Sequence, residues 1–263
     1  MDRVGAAIRK ARDQQAAAGV RQDPPRDRPG GSAWAELVAF DPDPETMARN
    51  RVVTFGRIDP ACATFDMLRT KLLRLMRRNG WTSIGVTSPT SGCGKTTTSL
   101  NLAFSFAQLE LRVLLIDLDL RRPAVARQIG LSRPHSMAEV VQGTRPAAEG
   151  FVRCGDNLAI GSGTVANRNS ADVLLSAATA RGIEDIRRRF TPDVLIYDLP
   201  PMLVGDDVLA FMPHLDCVLL VVGAEVSRLD EVDMCLSELA VPATSALVVV
   251  NKCRYPEADF QYA

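Results

Sequence analysis

The sequence predicts an α/β fold, a mostly parallel sheet with helices on both faces. Three observations carry that expectation. Short apolar, β-branched stretches recur between residues 83 and 250, and amphipathic helical stretches fall between them. The stretch "SPTSGCGKTTT", residues 88–98, lies between one such strand and one such helix. Its small residues followed by Gly-Lys-Thr suit a turn whose backbone N–H groups converge on phosphate.

Taken in order, residues 1–18 read as a short helix, with Val4, Ile8, Ala11 and Ala18 at helical spacing and Arg3, Arg9, Lys10 and Arg12 on the other side. Residues 19–32, rich in Pro, Gly and charge, read as a linker. In residues 33–55, Trp34, Leu37, Val38 and Phe40 are expected to dock on the body of the fold. Residues 64–80 give a helix with Phe65, Leu68, Leu72 and Met76 on one face and Gly80 as its stop. Strands are expected at 83–87, 112–117, 157–160, 194–198, 217–222 and 246–250. Helices are expected at 95–108, 171–189 and 228–239. There is no internal repeat.

Composition sets the outer limits. The chain has 263 residues, 46% apolar and 24% charged, with 31 basic and 31 acidic residues. That size accommodates one large α/β domain with an appendage, or two small domains, and the charge balance argues against nucleic acid as a partner. The longest apolar run, "CVLLVVGA" at 217–224, is far short of the roughly 18 residues of a membrane span. The first 19 residues lack the apolar core of a secretory signal. Cys62, Cys93, Cys154, Cys217, Cys235 and Cys253 show no C-x-x-C spacing, as expected of reduced thiols. These features together predict a soluble cytoplasmic protein.

Three motifs carry the chemistry. In the loop, Pro89 stands where the first glycine of G-x-x-x-x-G-K-[ST] is usual. Gly92 and Gly94 allow close approach to an anion, Lys95 would reach the β/γ-phosphates and the Thr96 hydroxyl would ligate Mg²⁺. Ser91, Cys93 and Thr97 complete the expected nucleotide-binding loop. The second motif, "LLIDLDLR", ends a strand in Asp117, with Asp119 and Arg121 following. The third, "DVLIYDLPP", ends another strand in Asp198, the position that holds Mg²⁺ through water. Strand-end carboxylates lie at the edge of an α/β sheet where ligands bind. The three in this order define a P-loop NTPase.

Together these stretches resemble the bacterial tyrosine kinases of capsule and exopolysaccharide biosynthesis, over roughly residues 52–252. That family has three apolar residues before D-x-D-x-R, a D-x-P-P strand end and often a proline at the position of Pro89. "HSMAEVVQG" and "RNSADVLLS" are similar to two further family stretches. The resemblance implies Mg-ATP as cofactor and Asp117 as base or metal organiser, with Asp119 and Asp198 completing the metal shell. Arg121 would steady the aspartates or the γ-phosphate, and Asn251 would contact adenine. Catalytic roles then fall to Lys95, Asp117, Asp119 and Arg121, and metal ligation to Thr96, Asp117 and Asp198. Domains are expected at 1–50 (helix and docking segment), 51–254 (kinase domain) and 255–263 (tail). With no span in the sequence, the resemblance implies a separate transmembrane chain-length regulator or adaptor as partner, recruiting the chain to the inner face of the membrane. MinD/ParA ATPases share the fold, but their signature lysine is Thr90 here, and Leu120 and Arg121 replace their usual Pro-Gln.

The family phosphorylates tyrosines in its C-terminal tail. Here Tyr255 and Tyr262 stand in the tail and are either the phosphoacceptors or ordinary tail residues. Tyr197, within an apolar strand, is expected to be buried. The family's E-x-x-R-x-x-R ring motif becomes Ala63, Asp66 and Arg69, so self-association is left open. Cys93 is either a reactive thiol at a helix N-terminus or a tolerated small residue.

Overall fold

A computed structural model describes residues 31–57, 59–241 and 244–254. The expected helix at 1–18, most of the linker, and Tyr255 and Tyr262 lie outside these residues.

Eight strands form one sheet: β1 (Val38–Ala39), β2 (Ser83–Thr87), β3 (Val113–Asp117), β4 (Phe151–Cys154), β5 (Leu158–Gly161), β6 (Val194–Asp198), β7 (Cys217–Gly223) and β8 (Ser245–Asn251). Their order is β1-β4-β5-β3-β6-β2-β7-β8. All pairings are parallel except β4 with β5. The expected α/β architecture is therefore present. Two strands were not expected: β1, and β4, which turns back on β5 through Gly155.

Four long helices, α1 (Cys62–Asn79), α2 (Lys95–Ala107), α3 (Ala177–Phe190) and α4 (Leu229–Ala240), pack on the sheet with several shorter ones. The strands are apolar on both sides because each side has its own core. Leu102, Phe106 and Met76 pack on one face with Ile84, Leu115 and Ile196. Ile183, Phe190, Cys235 and Leu239 pack on the other with Leu114, Tyr197 and Leu220. The expected helix at 171–189 is two helices, Ser170–Leu175 and α3. Ser176 breaks it: its backbone is extended (φ −67°, ψ 145°) and its hydroxyl accepts the Thr179 N–H, capping α3.

The segment before α1 docks as its apolar residues suggest. Trp34 is buried, donates its indole N–H to the Phe190 carbonyl at 2.7 Å and meets the Phe190 ring edge-on. Val38, by contrast, is exposed on β1.

Candidate active site

The strand order places the three motif-bearing strands side by side. β6 lies between β3 and β2, and the β3–β6 register sets Asp117 directly opposite Asp198. The loop leaves β2 at the same edge and opens α2 at Lys95. After β6 the chain runs along this loop: Met202 N–H donates to Ser88 O at 2.8 Å and Leu203 N–H to Pro89 O at 3.1 Å. The Thr87 hydroxyl donates to Pro200 O at 2.6 Å. Pro89 thus contributes its carbonyl to this docking.

Gly92 and Gly94 both sit at positive φ, 88° and 93°. At Gly94 the constraint is also steric, since an added Cβ would lie 2.2 Å from Asn251 Nδ2. That amide donates to the Cys93 carbonyl at 2.9 Å. Asn251, expected at the adenine, is thus also a clamp on the loop. Ser91 is exposed, and the Thr97 hydroxyl lies 3.4 Å from Gln128 Oε1. Cys93 is fully buried, with Sγ 3.3 Å from both Thr90 O and Ser227 Oγ. Burial would raise its thiol pKa, but hydrogen bonds from Ser227 and Gly223 outweigh it and the pKa is lowered.

Beyond the loop, one ammonium meets two carboxylates, with Asp117 opposite Asp198 as the third of the cluster. Lys95 Nζ lies 2.8 Å from Asp119 Oδ2 and 3.7 Å from Asp198 Oδ2. Asp198 also accepts from Thr96 Oγ1 at 2.6 Å and Ser99 Oγ at 3.0 Å. Asp117 is held by its own chain: Oδ2 accepts from Ala124 N, Val125 N and Ser162 Oγ, at 3.0, 3.0 and 3.1 Å. Among the described residues its Oδ1 accepts only the Asp119 N–H, at 3.2 Å, which leaves a lone pair for a further donor. Arg121 is turned to Asp207, at 3.0 Å, with Asp206 at 3.9 Å.

All three aspartates are buried. Burial, with Asp198 opposite, pushes the Asp117 carboxyl up to about 7. Burial raises Asp198 as well, against the pull of Lys95. Lys95 is raised despite its burial, because Asp198 and Asp119 hold its proton.

Three carboxylates against one ammonium leave an excess of negative charge, and the donors are all oxygen. This set fits a hard divalent cation. Among the described residues no three His, Cys, Asp or Glu side chains converge as direct ligands. The fit is therefore to a largely hydrated ion such as Mg²⁺, held by one or two protein oxygens and by phosphates. Ser99, Ser162 and Asp207 escape sequence reading, since each finds its partner 45 to 99 residues away. Only Ser99 leaves a trace, one helical turn after Thr96.

A phosphate loop flanked by two carboxylate-ended strands defines a nucleotide-binding domain of the P-loop class. The CobQ/CobB/MinD/ParA nucleotide binding domain matches residues 84–257, and the chain belongs to that family. Tyrosine-protein kinase CpsD of Streptococcus pneumoniae serotype 4 is 32% identical over 176 residues, 64% of this chain and 75% of that protein. EpsB of Ralstonia nicotianae is 28% identical over 185 residues, 69% of this chain. The chain spans only 24% of EpsB's length. Among solved structures, the VpsO kinase domain superposes with a TM-score of 0.64 at 28% identity, covering 73% of this chain and 96% of that one. The resemblance to bacterial tyrosine kinases read from the motifs is thus borne out. Among the described residues no helix is long and apolar enough to cross a membrane.

Proposed function

We propose that this chain is an Mg-ATP-dependent protein-tyrosine autokinase. In this reading it works with a transmembrane chain-length or adaptor protein at the inner face of the membrane, regulating polymerisation or export of a surface polysaccharide. The observation that carries the kinase is the convergence of Lys95, Thr96, Asp119 and Asp198, with Asp117, at one sheet edge. The kinase names of its relatives support the choice of reaction.

Lys95 leaves its aspartate partners for the β/γ-phosphates when ATP enters. Thr96 and Asp198 would hold Mg²⁺, which offsets charge on the transferring phosphoryl group. A phenol of pKa near 10 is a weak nucleophile at neutral pH. The remaining lone pair of Asp117 Oδ1, on a carboxyl of pKa about 7, suits a base working near neutrality. As the tyrosyl oxygen bonds to the γ-phosphorus, the bond to the β–γ bridging oxygen breaks, ADP leaves and the phenolic proton passes to Asp117. β8 ends at this same edge, and Arg254 beyond it is ion-paired to Glu225 at 3.2 Å.

A second reading, a nucleotide-gated ATPase or scaffold, draws support from Asp66. It accepts from Arg57, Arg69 and Ser105 of its own chain, at 2.7, 3.0 and 2.7 Å, where related kinases place a ring-forming arginine. Intact mass and site mapping after incubation with Mg-ATP, with and without an adaptor's cytoplasmic segment, separates the two. Phosphate on Tyr255 or Tyr262, absent in Lys95→Met, supports the autokinase. Phosphate release without phosphotyrosine under either condition supports the second reading.

A further inference from the structure

The edge strand β8 carries an uncovered face. Leu247 and Val249 pack into the core beneath the sheet. The alternate residues Val248 and Val250 point to the α4 side and remain 47% and 57% exposed. Strands of a parallel sheet are normally covered on both faces, and the continuous apolar run "ALVVV" is written for that. Here α4 buries Cys235 and Leu239 in the core with Val218 and Leu220 of β7, and leaves Val248 and Val250 of β8 uncovered. A shallow trough results beside α4, floored by Val248 and Val250, with Leu229 and Val241 exposed at the two ends of α4.

The helix beside the trough is acidic. Between residues 228 and 241 stand Asp230, Glu231, Asp233 and Glu238, and the one base, Arg228, is engaged by Asp230 at 3.0 Å. The occupant it fits is a short basic amphipathic helix with a narrow apolar face. Residues 3–18 have that composition: Val4, Ile8 and Ala11 at helical spacing, opposite Arg3, Arg9, Lys10 and Arg12. The reach is sufficient. The first described helix, Gly31–Ala35, lies by the β1–β4 edge, and β4 is six strand positions from β8. Six spacings make about 29 Å, whereas residues 19–30 extended span up to about 40 Å.

We infer that residues 3–18 of the same chain dock as a helix in the trough between α4 and β8, apolar side on Val248 and Val250 and basic side on the α4 carboxylates. Docking there bears on the nucleotide loop, because β8 ends in Asn251, whose amide holds Cys93 O.

The test is disulfide trapping in the full chain, with Cys253 replaced by serine and Ile8→Cys paired in turn with Ala246→Cys, Val248→Cys or Val250→Cys. With oxidised glutathione, at least one pair is expected to close within a single chain, read as a disulfide-linked peptide pair by mass spectrometry. Arg9→Glu with Lys10→Glu should lower its yield roughly five-fold, and Asp233→Lys or Glu238→Lys, on the two flanks of α4, should restore it. Hydrogen exchange of residues 4–12 in the protein without added cysteines should show slowed amides, lost on the same charge reversal. Failure of all three pairs, links found only between chains, or a yield indifferent to charge reversal would each overturn the inference. A between-chain link would assign the trough to a second copy.

Discussion

At the scale of single residues, Asp117 and Lys95 hold opposite ends of one charge balance, and each gives a measurable consequence. The Asp117 carboxyl is raised from an ordinary value of 3.8 to about 7. Between those limits the folded protein holds the proton more tightly than the unfolded chain, so this group's contribution falls as pH rises from about 4 to 7. Asp198, raised by the same burial, acts with the same sign. In the nucleotide-free protein, Asp117→Asn is therefore expected to gain stability relative to wild type on going from pH 5 to pH 8. Scanning calorimetry at the two values reads this as a gap in Tm that widens by several degrees with pH. A gap that stays constant would mean that Asp117 does not titrate in this window. Lys95→Met removes the one cation facing three buried carboxylates. Nucleotide-dependent phosphoryl transfer or hydrolysis should fall by about 100-fold or more. The variant should also be less stable than wild type at pH 8 and closer to it at pH 5, where protonation relieves the repulsion.

At the scale of elements, the phosphate loop is shaped from outside by the end of β8. Gly94 combines a left-handed backbone with a side-chain volume already filled by Asn251. Gly94→Ala therefore meets two costs, about 1–2 kcal/mol for the backbone and a steric one for the amide. Asn251→Ala alone loses the bond to Cys93 O, about 1 kcal/mol. The two changes should be non-additive: the double variant is expected to be more stable than the sum of the single losses predicts, because the alanine at 251 removes the clash and leaves only the backbone strain. Urea denaturation of the four proteins measures the cycle, and strict additivity would show that the two residues do not compete for space. The same scale shows what could be read in advance. Strands β2, β3, β6 and β7 announce themselves by β-branched runs, and the terminal aspartates of β3 and β6 with the Gly-Lys-Thr loop mark the candidate site. The break at Ser176 did not, because the apolar spacing of an amphipathic helix continues across it. Nor did β4, whose four residues become a strand by antiparallel pairing with β5 and by pairing with the two-residue β1. Ser162 and Asp207 act on Asp117 and Arg121 through space, and no local pattern marks a hydroxyl or carboxylate for a partner that distant in the chain.

At the scale of the whole molecule, the segment before α1 is part of the body of the fold. Trp34 is buried beside Phe190 at the end of α3, its indole N–H satisfied by the Phe190 carbonyl and its face met by the Arg112 guanidinium at 5.9 Å. Phe190 in turn meets Phe151 of β4, with ring centroids 5.4 Å apart. One chain of aromatic contacts thus joins the early segment, α3 and the antiparallel edge of the sheet, all on the face opposite α2. The nucleotide loop is anchored elsewhere, through β2, the chain after β6, and Asn251. Trp34→Ala should therefore cost about 3–5 kcal/mol of global stability, with faster hydrogen exchange at the end of α3 and in β1 and β4. Nucleotide affinity, measured by calorimetric titration below the variant's unfolding range, should stay within about two-fold of wild type, since distant sites are close to additive. A large loss of affinity in a fully folded variant would instead mean that the aromatic edge and the nucleotide loop move as one unit. The division between a stabilising edge and a working edge would then have to be abandoned.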